Sequence, residues 1–239
     1  MRKHLTRRAL LVAGGTLALA HSLRPAFAQN KMPIGVIGAG NIGALIGGLW
    51  IKAGHPVMFS SRNPDDLSDL VAKLGPLASA GTVAQAIAFG RALFIAVPFA
   101  ALPQIGSDHK DALKGKIILD ACNAVPARDG AAITKEADEI GIGIISQKYL
   151  PGTRVVRAFN TLGSTVFETQ SNRPDPKLAI PIAGDDAEAV RVAEQLVRDA
   201  GFDPVVVGKL DAARKFSQRV GPAYGFQGSA AELKAKLGM

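Results

Sequence analysis

The chain has 239 residues, 48% of them hydrophobic, with 28 Lys and Arg against 20 Asp and Glu and a formal net charge of +8. Arg2, Lys3, Arg7, Arg8 and Arg24 lie in residues 1–28, which hold no acid, so about +3 is left for the rest, an ordinary value for a soluble domain. There is no basic stripe with interleaved aromatics, so nucleic acid is not an expected partner. The single cysteine, Cys122, excludes an intrachain disulfide. Only His55 and His109 lie beyond residue 28, so neither a histidine-rich metal site nor a histidine-based triad is expected.

Residues 1–28 read as an address rather than as structure. An arginine pair, Arg7 and Arg8, precedes an apolar run from Ala9 to Ala20, and Ala26-Phe27-Ala28 supplies a small-x-small cleavage pattern. The paired arginines point to a signal of the twin-arginine (Tat) type. The run is shorter than the about 20 residues a membrane span takes, so an uncleaved anchor is the weaker reading. Cleavage after Ala28 is expected, with a periplasmic or secreted product that meets the membrane only through its transient export signal.

The predicted elements then follow in chain order. Met32–Gly38 is a short β-branched run that reads as a buried strand. Asn41 to Ala53 has helical spacing, and Gly54 stops it. Pro56–Ser60 is a second strand, and Asn63–Gly75 opens a helix with a proline and two acids, which suit the exposed amides of a first turn. Ala92–Pro98 and Lys116–Cys122 are further buried strands, with a short helix through Ala100–Ile105 between them. After Gly143 the alternation is looser: Arg154–Asn160 and Lys177–Gly184 read as strands. Residues 185–202 form the clearest helix, capped by Asp185 or Asp186, with Val190, Ala193, Leu196, Val197 and Ala200 on one face and Gly201 as its stop. Asp203–Gly208 is a last strand, and the tail from Asp211 is broken at residues 221–229 before a short closing helix. Strands alternating with helices predict a Rossmann-type α/β fold: a doubly wound, mostly parallel sheet with a small C-terminal α/β extension.

Gly38-Ala39-Gly40-Asn41-Ile42-Gly43 has the spacing G-x-G-x-x-G between a predicted strand and a predicted helix. Gly38 allows the tight turn, Gly40 lets a pyrophosphate approach the backbone, and Gly43 lets helix and strand pack closely. The amides and the positive dipole end of the helix attract the anion. In that strand–turn–helix context the hexapeptide is a dinucleotide-binding signal. About 20 residues further on, where an NAD-selecting fold carries an acid, stand Ser60, Ser61 and Arg62. A carboxylate there would repel the 2′-phosphate of NADP, whereas a guanidinium fork and serine hydroxyls attract it. NADP(H) is therefore the expected cofactor, with Ser61 and Arg62 as the selecting pair. The bland alternative is a surface arginine paired with Asp65 or Asp66. The chain divides into residues 1–28 (signal), 29–145 (NADP-binding) and 146–239 (a continuation or cap that completes the acceptor site).

The segments GVIGAGNIG, SSRNPDDL, FIAVPFAAL, LDACNAVP, RVVRAFNTLG and AGDDAEA…LVRDAGFDPVVVGKLDAAR resemble, in order and spacing, the F420-dependent NADP oxidoreductase family, from about Met32 to Arg214. The same module occurs in the cytosolic domain of six-transmembrane metalloreductases. The resemblance implies that the amides of Ala39 to Ile42 hold the pyrophosphate and that Ser61 and Arg62 hold the 2′-phosphate. It places Val97 and Pro98 along the adenosine-to-nicotinamide path, and Asn123 and Ala158 near the nicotinamide. Asn160 and Thr161, polar residues at a strand end, either orient a nicotinamide amide or a second ring, or satisfy local backbone groups. Asp120 reads as a cleft carboxylate or a loop cap, and Cys122 as a small buried residue. Tyr224 and Phe226 either stack on a planar ring or pack as core or lid. No catalytic side chain is expected, because hydride transfer between stacked rings needs positioning rather than a nucleophile.

The implied function is an NADP(H)-dependent oxidoreductase with a small-molecule redox acceptor: F420, or a flavin such as FMN or FAD. The alternative is an NADP-binding redox subunit, a metalloreductase-like module that serves a partner. An imine or β-hydroxyacid reductase would share the glycine loop but append a long all-helical dimerisation domain, whereas here strands continue past Lys177. The resemblance favours a homodimer.

Overall fold

Alternation along the strands writes two apolar faces, and the computed structural model shows both of them covered. Residues 31–239 are described, so the signal expected in residues 1–28 lies outside them. The chain runs from β1 (Ile34–Ile37) through the glycine loop to α1 (Asn41–Lys52) and β2 (Val57–Ser60). A 3-10 turn (Pro64–Leu67) leads into α2 (Ser68–Leu74), then β3 (Ala78–Gly81), α3 (Val83–Phe89) and β4 (Ala92–Ile95). A second 3-10 turn (Phe99–Ala101) precedes α4 (Leu102–Asp108) and α5 (Lys110–Leu113). After β5 (Ile117–Asp120) come α6 (Pro126–Asp129), α7 (Ala131–Ile140) and α8 (Ile142–Tyr149). The last part carries β6 (Arg154–Arg157), α9 (Ser164–Gln170), β7 (Ala179–Gly184), α10 (Ala187–Asp199) and β8 (Asp203–Gly208). A 3-10 segment (Leu210–Phe216) and α11 (Ala230–Lys236) close it.

The eight strands form one sheet in the order β3-β2-β1-β4-β5-β6-β7-β8. Every pairing is parallel except β6 with β7, which is antiparallel through Val156–Gly184 and Arg157–Ala183. The order reverses between β1 and β4, and that switch point opens a crevice beyond the carboxyl ends of the strands. Ile34, Val36, Phe94, Leu119, Val156 and Ile182 point into one core with α1 and α10. Ile37, Leu93, Ile95, Ile118 and Val155 point into a second core under α7 and α8. The continuous apolar runs read as buried strands are divided in this way between two buried layers.

One core is fixed by aromatic edges. Trp50 meets Phe94 at 5.2 Å, and Phe159 meets Phe94, Phe167 and Phe202 at 5.8, 5.8 and 6.2 Å between ring centres. The Trp50 indole N–H also donates to the Leu196 carbonyl at 2.7 Å, which joins α1 to α10. At the amino ends of the strands, buried His55 lies 2.8 Å from the Asp199 carboxylate and 3.1 Å from the Met32 carbonyl, and Lys31 reaches the same carboxylate at 3.4 Å.

α10 ends and begins as its sequence requires. The Asp186 carboxylate accepts from Ala189 N–H at 2.7 Å, and Gly201 adopts a left-handed φ of 92°. Asp185 instead accepts the Leu210 amide at 3.0 Å and ties the final turn to the sheet. The expected helix at 63–75 forms, with a 3-10 first turn. The β3 and α3 segments carried no expectation, because Ala-Ser-Ala-Gly has none of the β-branched residues that mark a strand. Among the described residues, no helix is long and apolar enough to cross a membrane.

Candidate functional site

The glycine loop folds as its spacing requires. Gly38 has φ 98°, and an added Cβ would lie 2.6 Å from the Ala96 carbonyl oxygen. A Cβ on Gly43 would sit 1.8 Å from the Gly38 carbonyl oxygen, so the loop closes onto the helix only with glycine there. Gly40 is different: its Cβ would meet nothing within 4 Å. That position faces open space where a ligand backbone would lie. The first helical hydrogen bond of α1 runs from Ala44 N–H to Gly40 carbonyl at 2.8 Å. The amides of Asn41, Ile42 and Gly43 therefore precede it without an acceptor inside the helix, at the positive end of a 12-residue dipole.

A cavity of about 700 Å³ opens beside this loop. Gly38, Ala39 and Gly40 line it together with Ser60, Ser61 and Arg62 at the end of β2 and Val97 and Pro98 at the end of β4. Eight of the expected cofactor residues thus meet in one place. Arg62 is exposed, and among the described residues no carboxylate pairs with it, so the pairing with Asp65 or Asp66 does not form. Its guanidinium is available to an anion. The two serines separate. Ser60 is buried, and its hydroxyl donates to the Val36 carbonyl at 3.0 Å, so its proton serves β1 while the residue lines the cavity. Ser61 accepts from Asn63 N–H at 3.1 Å and keeps its own proton free. No acid occupies the selecting position, so the donor set fits a 2′-phosphate.

Sequence reasoning missed the far wall, where Gln104, Asp108 and His109 of α4 and its cap also line the cavity. It also missed what holds that wall. The Asp129 carboxylate accepts Ala100 N–H at 3.1 Å and Val125 N–H at 2.7 Å, and clips the turn after β4 to the loop after β5. Burial opposes its charge, but hydrogen bonds from Arg128, Val125 and Ala100 outweigh that and hold its carboxyl below the usual carboxylate range.

The ends of β5 and β6 form a closed polar cluster. Asn123 donates to the Asn160 carbonyl at 2.6 Å, and the Asn160 amide donates to the Phe216 carbonyl at 3.2 Å. These two residues come together, yet neither lines the cavity. Ala158 is wholly buried in the aromatic core, which removes it from any surface a cofactor could touch in this state. Asp120 is not a cleft carboxylate. It is fully buried, 2.5 Å from Arg157, and it accepts the Cys122 amide at 2.8 Å, so the loop-cap reading holds. Arg157 also donates to the Cys122 carbonyl at 2.6 Å. Burial, with Asp120 nearby, pushes the Cys122 thiol well above its ordinary range, which fits a buried thiol and not a nucleophile. Phe226 packs into the C-terminal core, while Tyr224 stays 38% exposed.

Comparison with known proteins follows this geometry. The family model described as NADP oxidoreductase, coenzyme F420-dependent, matches residues 33–124. Metalloreductase STEAP3 of Rattus norvegicus is 25% identical over 218 residues, which is 90% of this chain and 40% of that protein, so the chain spans well under half of that relative. Among solved structures, the hypothetical protein SMa0349 from Sinorhizobium meliloti superposes with a TM-score of 0.71 at 26% identity, covering 85% of this chain and 97% of the other. A putative F420-dependent NADP-reductase from Arthrobacter sp. FB24 shares the fold, with a TM-score of 0.62 at 22% identity over 77% and 87% of the two chains. Through residues 33–124, the chain is similar to a family of NADP-dependent oxidoreductases.

Proposed function

We propose that this protein is an NADP(H)-dependent oxidoreductase that moves hydride between the nicotinamide of NADP(H) and a planar acceptor of the deazaflavin (F420) or flavin class. The observation that carries the reading is the Arg62 guanidinium, without a carboxylate partner among the described residues, beside Ser61 in the same cavity as the open face of Gly40. Bound NADP(H) supplies the hydride, and the chain's own task is to hold the dinucleotide and fix the approach of the second ring. The loop amides would hold the pyrophosphate and Ser61 and Arg62 the 2′-phosphate, with Val97 and Pro98 along the adenosine-to-nicotinamide path.

Titration calorimetry tests the binding. NADP should bind more tightly than NAD, and Arg62→Ala should cost NADP about 10- to 100-fold, the worth of hydrogen bonds to a charged group, while NAD affinity stays unchanged. Equal binding of the two dinucleotides would remove the reading. Mixing the protein with NADPH and F420, FMN, FAD or ferric chelates and following the nicotinamide absorbance then identifies the acceptor.

A second reading is an NADP-binding module that acts with a partner. It is favoured by the similarity to only 40% of a metalloreductase, and NADP binding without turnover of any free acceptor would support it. In either case, export by the twin-arginine route would carry a folded protein already loaded with NADP. Mature protein purified from periplasm without bound nucleotide would oppose that.

A further inference from the structure

The sheet ends differently at its two edges. β3, at one edge, is four small residues, Ala-Ser-Ala-Gly. β8, at the other, is six residues long with Val205, Val206 and Val207 at its centre. The Asp203 N–H donates to the Leu178 carbonyl at 2.9 Å. In the parallel ladder with β7, Asp203 and Val205 therefore turn their backbone groups inward, and Pro204 and Val206 turn theirs outward. Proline has no N–H to leave exposed, which suits an edge. Val206 has one, no described strand lies on that side of it, and its side chain is 38% exposed. A long apolar edge with open backbone groups is a template for another strand.

Beside the start of β8 lies a hollow of about 630 Å³, separate from the cavity at Arg62. Asp175, Lys177, Arg198 and Asp203 supply its charges. The two cations are already engaged: Arg198 meets Glu194 at 3.2 Å, and Lys177 donates to the Arg173 carbonyl at 3.4 Å. The two carboxylates, Asp175 and Asp203, pair with no base among the described residues. Lys209 stands just past the other end of β8, exposed and without a described carboxylate. It follows Val206 by three residues, as Asp203 precedes it by three.

That symmetry selects the partner. A two-fold axis through Val206 lays the edge antiparallel on a second copy of itself, and the two Val206 residues then exchange N–H···O bonds. The same rotation carries each Lys209 toward the Asp203 end of the opposite strand, where the hollow offers two open carboxylates. A strand without that acid and that lysine leaves both charges unanswered, so the edge discriminates against other strands.

We propose that β8 pairs antiparallel with β8 of a second copy of this chain, joining two eight-stranded sheets into one, with Lys209 of each copy seated at the Asp203–Asp175 hollow of the other. The cavity at Arg62 belongs to the opposite part of the sheet and stays open, so the pairing does not depend on what that cavity binds.

Sedimentation velocity on the full chain reads the mass, and amide hydrogen exchange reads the strand contact. The unaltered chain should be a dimer that weakens as salt rises, with the Val206 amide protected. Lys209→Asp and Asp203→Lys should each raise the dissociation constant by about tenfold or more, since either one sets like charges together twice. Both substitutions in one chain should restore the dimer. Val206→Pro, which removes the outward N–H and keeps both charges, should give a folded monomer. A monomer at every concentration, a dimer whose Val206 amide exchanges freely, or a dimer unmoved by Val206→Pro would overturn the pairing. A dimer unmoved by Lys209→Asp, or a doubly substituted chain that is folded by circular dichroism yet monomeric, would overturn the charged contact.

Discussion

The two halves of the carboxyl edge of the sheet are built in opposite ways. At β1 and β2 the chain leaves groups open toward solvent: helix amides, a guanidinium that no described carboxylate pairs, and a glycine with space in front of it. At β5 and β6 it turns polar groups inward and pairs most of them, from the Asp120–Arg157 ion pair to the Asn123–Asn160 contacts. An open anion site needs little support, because the helix end supplies it at no cost in burial. A closed polar cluster must satisfy nearly every member, since each orphan is expensive. The first half therefore tolerates loss of its functional groups, and the second does not.

The sharpest way to break this contrast is to truncate one charge on each side. Asp120→Ala leaves Arg157 buried and unpaired and should cost about 3–5 kcal/mol, seen as a lower denaturation midpoint, whereas Arg62→Ala should move that midpoint by less than about 0.5 kcal/mol. Comparable losses would mean that the open half is structural too. Next, Gly43→Ala should destabilise the fold by about 1–3 kcal/mol, because its Cβ has no room against the Gly38 carbonyl. Gly40→Ala should keep wild-type stability and still lose about tenfold or more in NADP affinity. A Gly40→Ala protein that binds normally would show that the pyrophosphate lies elsewhere.

How much of this was legible follows the same division. The loop, Ser61 and Arg62 could be read because their signal is local, a six-residue spacing and a residue type one strand later. Short apolar, β-branched runs marked most strands, and Gly201 and the Asp185–Asp186 pair marked the ends of α10. What was not legible depends on distance. β3 is recognisable only by its pairing with β2, since its four small residues carry no strand signal. The reversal of β7 against β6 is set by packing across the sheet. The burial of Asp120 and Ala158, the commitment of the Ser60 hydroxyl to β1 and the reach of Arg219 back to Asp138 join residues 24 to 81 positions apart. No spacing in the sequence announces such pairs.

Two smaller effects sharpen the comparison. Asp129 is held below the ordinary carboxylate range in the folded protein. Its contribution is therefore complete above the unfolded value near pH ~3.9 and is lost as pH falls through the lower folded value. Asp129→Asn should flatten the acid limb of a stability profile measured between about pH 5 and 2. An unchanged limb would mean that the clip across the β4 and β5 loops carries no charge-dependent stability. Last, the buried Cys122 thiol, with its raised titration, should react with a thiol reagent only as fast as the protein opens. Rapid labelling of the native protein would show that the closed half is more open than its contacts describe.

The fastening of Lys31, Met32 and His55 around Asp199 also bears on handling the protein. It anchors the first described residues to α10 at the amino-end rim of the sheet, on the side away from the glycine loop. Substitutions that loosen that bolt, such as Asp199→Ala, act on the domain at its back. They should leave dinucleotide affinity as it is.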